Sequence, residues 1–213
     1  MQKIVIPKAK DIIMLERSMS GARLELAQEA FDVLYDAHLA KDDPILTWKL
    51  NNLKYLASGF DRVNKQTKFN DTIPAGTLRI KVNEDNYGLA SVDVVTTAGV
   101  NYIVDSLQGL ATINNLRWHA SGTNNTAPAV GDTTLNTEVG TRVSGTQTEG
   151  ASANIFRTVA TLTYGSSFTI VEHGILSASS GGTLLDRSIF TGIGVDTTTS
   201  IEFTYDYTFS SGG

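Results

Sequence analysis

Cysteine is missing from all 213 residues, and no lysine occurs after Lys81. Without thiols the chain makes no disulfide and no thiolate metal site, so its fold rests on packing and hydrogen bonding alone. Proline is scarce, 4 residues against 19 glycines, a ratio that suits many tight turns. Charged residues make up 18% of the chain, below the roughly one quarter usual for soluble proteins. The net charge of -5 argues against a nucleic-acid partner, because phosphate binding needs clustered Lys and Arg. No apolar run is long enough to span a bilayer, and Met1-Gln2-Lys3-Ile4-Val5-Ile6-Pro7 lacks the apolar core of a secretory signal. The expectation is a protein with no membrane partner, made and kept in a cytoplasm or released by cell lysis.

What is present is a 41% hydrophobic chain with two chemically different halves. Charges crowd the first seventy positions, where apolar residues recur at helical spacing. Leu24, Ala27, Phe31 and Leu34 form one stripe, widened by Ala30, Val33 and Ala37. Asp43-Pro44 is a helix start, Asp43 as N-cap and Pro44 at the first helical position. Leu46, Leu50, Leu53, Ala57 and Phe60 then form a second stripe, with Trp48 off it as a core or interface residue. The pattern predicts an αα-hairpin turning at Lys41-Asp42-Asp43-Pro44. Two short amphipathic helices bury little by themselves, so the hairpin must pack on the β half or on a neighbouring subunit. Ahead of it, Lys3-Ile4-Val5-Ile6-Pro7 reads as an edge strand, or as an arm that adds itself to a neighbour's sheet edge, followed by the basic Lys8-Ala9-Lys10.

Past a turn cluster at Asp71-Thr72-Ile73-Pro74-Ala75-Gly76 the period falls to two. Leu78, Ile80 and Val82 alternate with Arg79 and Lys81, and further strands are expected around Val92, Val94 and Val95 and around Val100, Tyr102, Ile103 and Val104. Asn83-Glu84-Asp85-Asn86-Tyr87-Gly88 reads as an exposed loop. From Leu110 onward strands are expected at about 110–120, 154–164, 167–177, 183–190 and 199–209. The polar stretch 121–152 is long for a compact domain and suggests an interaction loop, with a short helix or edge strand near 135–139. The last run places Ile201, Phe203, Tyr205, Tyr207 and Phe209 on one face and Glu202, Thr204, Asp206 and Thr208 on the other. The expected fold is therefore mainly β with an N-terminal α-helical region: an arm and helical hairpin over 1–72, serving anchoring and assembly, then an antiparallel β-sandwich or jelly-roll-like domain over 73–213.

Catalytic signatures are sparse. The only histidines are His38, His119 and His173. Glu172 and His173 are neighbours on a strand and point to opposite faces, so they form no local acid–base pair. His119 meets His173 only if their strands are adjacent, and a metal site there needs a carboxylate as well. Nucleophile-elbow, P-loop and dinucleotide signatures are absent. Asp186-Arg187 reads as a solvated pair or as a partner for another strand. Tyr205 and Tyr207 could stack a sugar, but their place on the apolar face favours core packing. For glycoside hydrolysis the glutamates to examine are Glu138, Glu149 and Glu172. Glu172 reads rather as an acceptor for backbone N–H groups at a Gly174 turn. The expectation is no enzyme, no catalytic residue, no metal and no cofactor.

The run Val171-Glu172-His173-Gly174-Ile175-Leu176-Ser177-Ala178 continues into Gly181-Gly182-Thr183-Leu184-Leu185-Asp186-Arg187-Ser188-Ile189-Phe190 and the terminal Ile201 to Phe209 strand. Upstream lie Trp118-His119-Ala120-Ser121-Gly122-Thr123 and Thr126-Ala127-Pro128-Ala129-Val130-Gly131-Asp132-Thr133. Together, over about 110–213, these segments resemble a C-terminal module of tailed-bacteriophage virion proteins of head-decoration, head-fibre, tail-fibre or baseplate type. The resemblance implies a non-enzymatic virion component. It would be a capsid decoration or head-associated protein bound to the major capsid protein or another virion protein, and self-associating, with a trimer favoured. A tail-fibre or baseplate subunit binding a host glycan is the alternative.

Overall fold

A computed structural model describes residues 43–66 and 75–209 of the chain. The arm, the first predicted helix and His38 lie outside the described residues. The chain divides into two compact units, Met1–Leu53 and Lys54–Gly213.

Helix α1 spans Pro44–Gln66. Its start follows the capping chemistry read from the sequence: Asp43 Oδ1 accepts the backbone N–H of Ile45 at 2.8 Å and of Leu46 at 3.3 Å. These satisfy two of the amides that a helix N-terminus leaves without an intrahelical partner. Trp48 is buried despite lying off the apolar stripe, as are Leu46 and Leu56.

The strands are β1 (Ala75–Val82), β2 (Asp85–Val95), β3 (Trp118–Gly122), β4 (Glu138–Ser144), β5 (Thr146–Glu149), β6 (Ile155–Thr163), β7 (Phe168–Leu176), β8 (Leu184–Val195) and β9 (Ser200–Thr208). All pairings are antiparallel. The nine make one sheet in the order β4-β3-β7-β8-β2-β1-β9-β6-β5. Two strands carry it round corners. β2 pairs with β1 along most of its length, and then its last residues, Val94 and Val95, pair with Arg187 and Asp186 of β8. At the other corner β4 and β5, the two ends of the order, are separated in sequence by Gly145 alone. The sheet is thus nearly closed on itself, a sandwich or barrel-like arrangement with bent corner strands. Gly145 donates its N–H to the Arg117 carbonyl at 2.8 Å. A Cβ there would collide with Thr158 Oγ1 and come within 2.7 Å of His119 Nε2, so this corner requires glycine.

β9 lies in the middle of one layer, paired with β1 on one side and β6 on the other. Ile201, Phe203, Tyr205 and Tyr207 are buried, in the register that the alternation predicts. On the opposite face Asp206 accepts two hydrogen bonds from its cross-strand neighbour Arg157, Nε to Oδ1 at 2.6 Å and Nη2 to Oδ2 at 2.7 Å. Phe209 departs from the expected packed face. The strand ends at Thr208, and Phe209 is exposed, clipped to Asn154 by its own N–H and by the Asn154 amide on its carbonyl.

Three further expectations need correction. The stretch expected as a strand around Val100 to Val104 is helix α2, Thr97–Leu107. Thr96 caps it, Oγ1 accepting the Gly99 N–H at 2.9 Å, and the β-branched run yields to an i, i+3, i+4, i+7 apolar spacing at Val100, Ile103, Val104 and Leu107. The strand expected over 110–120 is confined to β3; before it lies a 3-10 turn at Ile113–Asn115. The exposed 83–88 loop is a two-residue hairpin turn, Asn83-Glu84, with Asn83 at a φ of 51° and β2 already running from Asp85. Within the long polar stretch, of the short helix or edge strand expected near 135–139 the end strand β4 is found, beginning only at Glu138, and the loop proper is 123–137.

Candidate functional site

Four of the five segments that carry the phage resemblance lie in or against the β3-β7-β8 layer, while the terminal Ile201 to Phe209 run forms β9 between β1 and β6. Glu172 and Arg187, from the two motif strands β7 and β8, form an ion pair, Nε to Oε2 at 2.8 Å, with both side chains fully buried. The Arg187 guanidinium also donates Nη1 to the Thr126 carbonyl at 3.0 Å and to Asp132 Oδ2 at 3.2 Å. The other Glu172 oxygen, Oε1, accepts the Thr137 N–H at 2.9 Å and the Asn124 N–H at 3.3 Å, while Oε2 also accepts the Asn136 N–H at 3.3 Å. The 123–137 loop is therefore pinned to the layer at both of its ends and in its middle. Leu135 adds an apolar plug on Ala120, Leu176 and Leu184. Gly174 makes room for it, since a Cβ there would come within 3.0 Å of Leu135 Cδ2. Gly174 is not a turn residue, as the sequence suggested. It is mid-strand, opposite Ala120 and Arg187, and the amides that Glu172 serves belong to the loop.

On the opposite face of the same strands the interior is polar. β3 and β7 are neighbours, and His119 Nδ1 lies 3.0 Å from His173 Nε2. His119 Nε2 lies 3.1 Å from Thr158 Oγ1 of β6. We assign His173 Nε2–H as donor to His119 Nδ1 and His119 Nε2–H as donor to Thr158. The reverse tautomers would leave a buried N–H of His173 without an acceptor, the costlier defect. Burial lowers the His119 pKa to about 3. Burial, reinforced by His119, likewise holds His173 well below the ordinary histidine value. Both rings are neutral at physiological pH.

Nearby, Asp186 of β8 and Asp93 of β2 share a hydrogen bond between their carboxyl groups. Burial, then the charge of Asp93, push the Asp186 carboxyl well above the usual carboxylate range. Burial and the same two carboxyls raise the Tyr205 hydroxyl far above its normal value, and burial, then Asp186, raise that of Tyr207.

Of the glutamates examined for hydrolysis, Glu172 is consumed by the loop clasp and Glu138 by a two-pronged pair with Arg142, Nε to Oε1 at 2.7 Å and Nη2 to Oε2 at 2.8 Å. Glu149 is exposed at the end of β5. Glu138 and Glu172 flank Gly122 from β4 and β7, each held in its own ion pair, and Glu149 stands on β5 opposite Phe156. Tyr205 and Tyr207 are in the core and offer no sugar platform. Asp186-Arg187 is not a solvated pair: both are fully buried and face opposite ways, Asp186 to Asp93 and Arg187 to Glu172 and Asp132. Glu172 and His173 do face opposite sides, as strand geometry requires. The two histidines meet, but their third neighbour is a threonine hydroxyl. Among the described residues no three His, Cys, Asp or Glu side chains gather in a way that could hold a metal ion.

Sequence reasoning missed Asp93 and Thr158, and quoted Asp132 within the 126–133 run without a partner. Of the two missed, only Asp93 left a signal, a single charge inside the apolar run Val92-Asp93-Val94-Val95. Scanned against protein-family models the chain matches none, and a search of curated proteins finds no matching sequence.

Proposed function

We propose that this chain is a non-enzymatic structural component of a bacteriophage particle, a capsid decoration or head-associated protein that binds the capsid and self-associates. One observation carries the reading. Four of the phage-like segments supply the loop clasp: Ala120, Glu172, Gly174, Leu184, Arg187, Thr126 and Asp132 hold a 15-residue surface loop (123–137) on a nearly closed sheet. Motif chemistry of this kind builds and presents a surface; it leaves its charged groups bonded to one another and to loop amides instead of aimed at a substrate. A cysteine-free, densely hydrogen-bonded sheet also suits a repeated part that must survive outside a cell without covalent staples. The resemblance further implies the major capsid protein or another virion protein as partner and a trimer as the assembled state, and the change of period and charge after the first seventy residues makes 1–72 the candidate anchor.

The test is stoichiometry. In purified particles the chain should be present in copy numbers comparable with the major capsid protein. A copy number lower by an order of magnitude or more would place it in the tail or baseplate, and its absence from particles would sink the virion reading. The purified chain should release no reducing sugar from host envelope polysaccharide; release that stops in Glu172→Gln while the fold survives would make it an enzyme.

A further inference from the structure

Helix α2 covers an end of the sheet and leaves an apolar face uncovered. Seven large apolar residues are exposed among those described, and six of them lie on α2 and beside it: Val100, Val104, Leu107, Leu110, Ile113 and Phe209. The first three fall within about 60° of one another round the helix, one stripe. Leu107 is 84% exposed and Leu110 74%. Next to the stripe is an apolar cleft of about 100 Å³, lined by Ile103, Ile113, Leu116, Phe156, Leu185, Tyr207 and Phe209. An apolar cavity of about 150 Å³ is known to hold a benzene, so this cleft can take an aliphatic side chain.

We infer that this face is the contact through which two copies of the chain pair about a two-fold axis, α2 against α2. Three features select a second copy as the occupant. The patch carries both a protruding knob, Leu107 with Leu110, and a hole, the cleft beside it. A two-fold contact needs such self-complementarity, because each residue that inserts must find the receiving site on the same surface of its partner. From Val100 to Ile113 the only charge is Asp105, which lies about 100° round the helix from Val104, so two copies can close the stripe without like charges meeting. The exposed parts of the six residues amount to roughly 600 Å², at the upper end for the largest patch on a monomer. Paired, they bury roughly 1,200 Å², the lower bound for a specific interface.

This deepens the self-association proposed above and replaces the three-fold arrangement implied by the resemblance with a two-fold one. The absence of cysteine makes the test clean, because an introduced thiol is the only one in the chain. Val104→Cys in the full chain, treated with a short bis-maleimide at low protein concentration, should give a covalent dimer. Glu84→Cys, on the exposed β1–β2 turn, should give none. In sedimentation equilibrium the wild type should show paired chains, and the double variant Leu107→Asp, Leu110→Asp should weaken pairing at least tenfold with an unchanged circular dichroism spectrum. An assembly whose mass survives the double variant, or equal cross-linking at both cysteines, overturns the α2 contact and leaves self-association standing through another surface. A wild type that stays monomeric at every concentration overturns both.

Discussion

Acid should unfold this protein through its interior histidines, by an amount that the geometry sets. His119 is buried against His173 and Thr158, and its pKa falls from 6.5 to about 3. The unfolded chain therefore binds a proton below pH 6.5 that the folded chain refuses until about pH 3. Stability follows the difference in bound protons and falls as the pH drops through that window, by about 1.4 kcal/mol per unit for one such group. Acidification from 6.5, where the unfolded histidine is half protonated, to 4.5 then costs about 2 kcal/mol from His119 alone, a large share of the 5–15 kcal/mol or so that holds a typical domain together. His173 adds in the same direction. Asp186 opposes: its carboxyl keeps a proton that the unfolded chain gives up above about pH 4, so its contribution grows as the pH falls. The histidine effect is isolated by comparison. Urea unfolding of wild type and His119→Gln, followed by far-UV circular dichroism at pH 7 and 4.5, should show a loss smaller in the variant by about 2.5 kcal/mol. Equal losses in both proteins would mean that His119 is hydrated or charged in the native state, and the tautomer assignment would fall with it.

Arg187→Met should cost about 3–5 kcal/mol, because it strands Glu172 as a buried charge, and limited proteolysis should then cut within 123–137. The double variant Arg187→Met, Glu172→Gln should recover part of that loss; no recovery would mean that Glu172 acts through the loop amides alone. Phe203→Asp should abolish soluble folding, while Glu202→Gln on the half-exposed opposite face should stay within about 0.5 kcal/mol of wild type by urea titration. Glu202→Lys is the worse probe, since it would set a lysine directly opposite Lys81. Gly145→Ala should lower stability by about 1–3 kcal/mol in the same titration, by forcing Thr158 and His119 aside at the β4–β5 corner.

Local chemistry decides whatever depends on neighbours in the chain, and so it was legible from the residues. The period-two alternation of Ile201 to Tyr207 set a strand with one packed face. Asp43-Pro44 set a helix start, and the β-type runs before Tyr164, Ser177 and Phe190 set β6, β7 and most of β8. Where two periods compete locally the reading went astray. Val100 to Val104 is rich in β-branched residues and also helically spaced, and the Thr96 cap with the packing of α2 resolved it as helix. Interior polarity lay beyond local reasoning. Asp93 and Asp186 stand 93 positions apart, Glu172 and Arg187 fifteen, and His119 and His173 fifty-four, and no periodicity says which of them meet. Strand pairing decides it for His119 with His173 and for Glu172 with Arg187, on opposite faces of one layer. The corners decide it for Asp93 with Asp186 and for His119 with Thr158, because β2 and the Gly145 bend carry the sheet from β1 to β8 and from β3 to β6. Residue pattern alone was enough for β6, β7, most of β8 and the packed face of β9. Only the pairing of the strands and the closing of the sheet determined which polar groups became each other's partners, because burial sets their protonation and burial is a property of the whole fold.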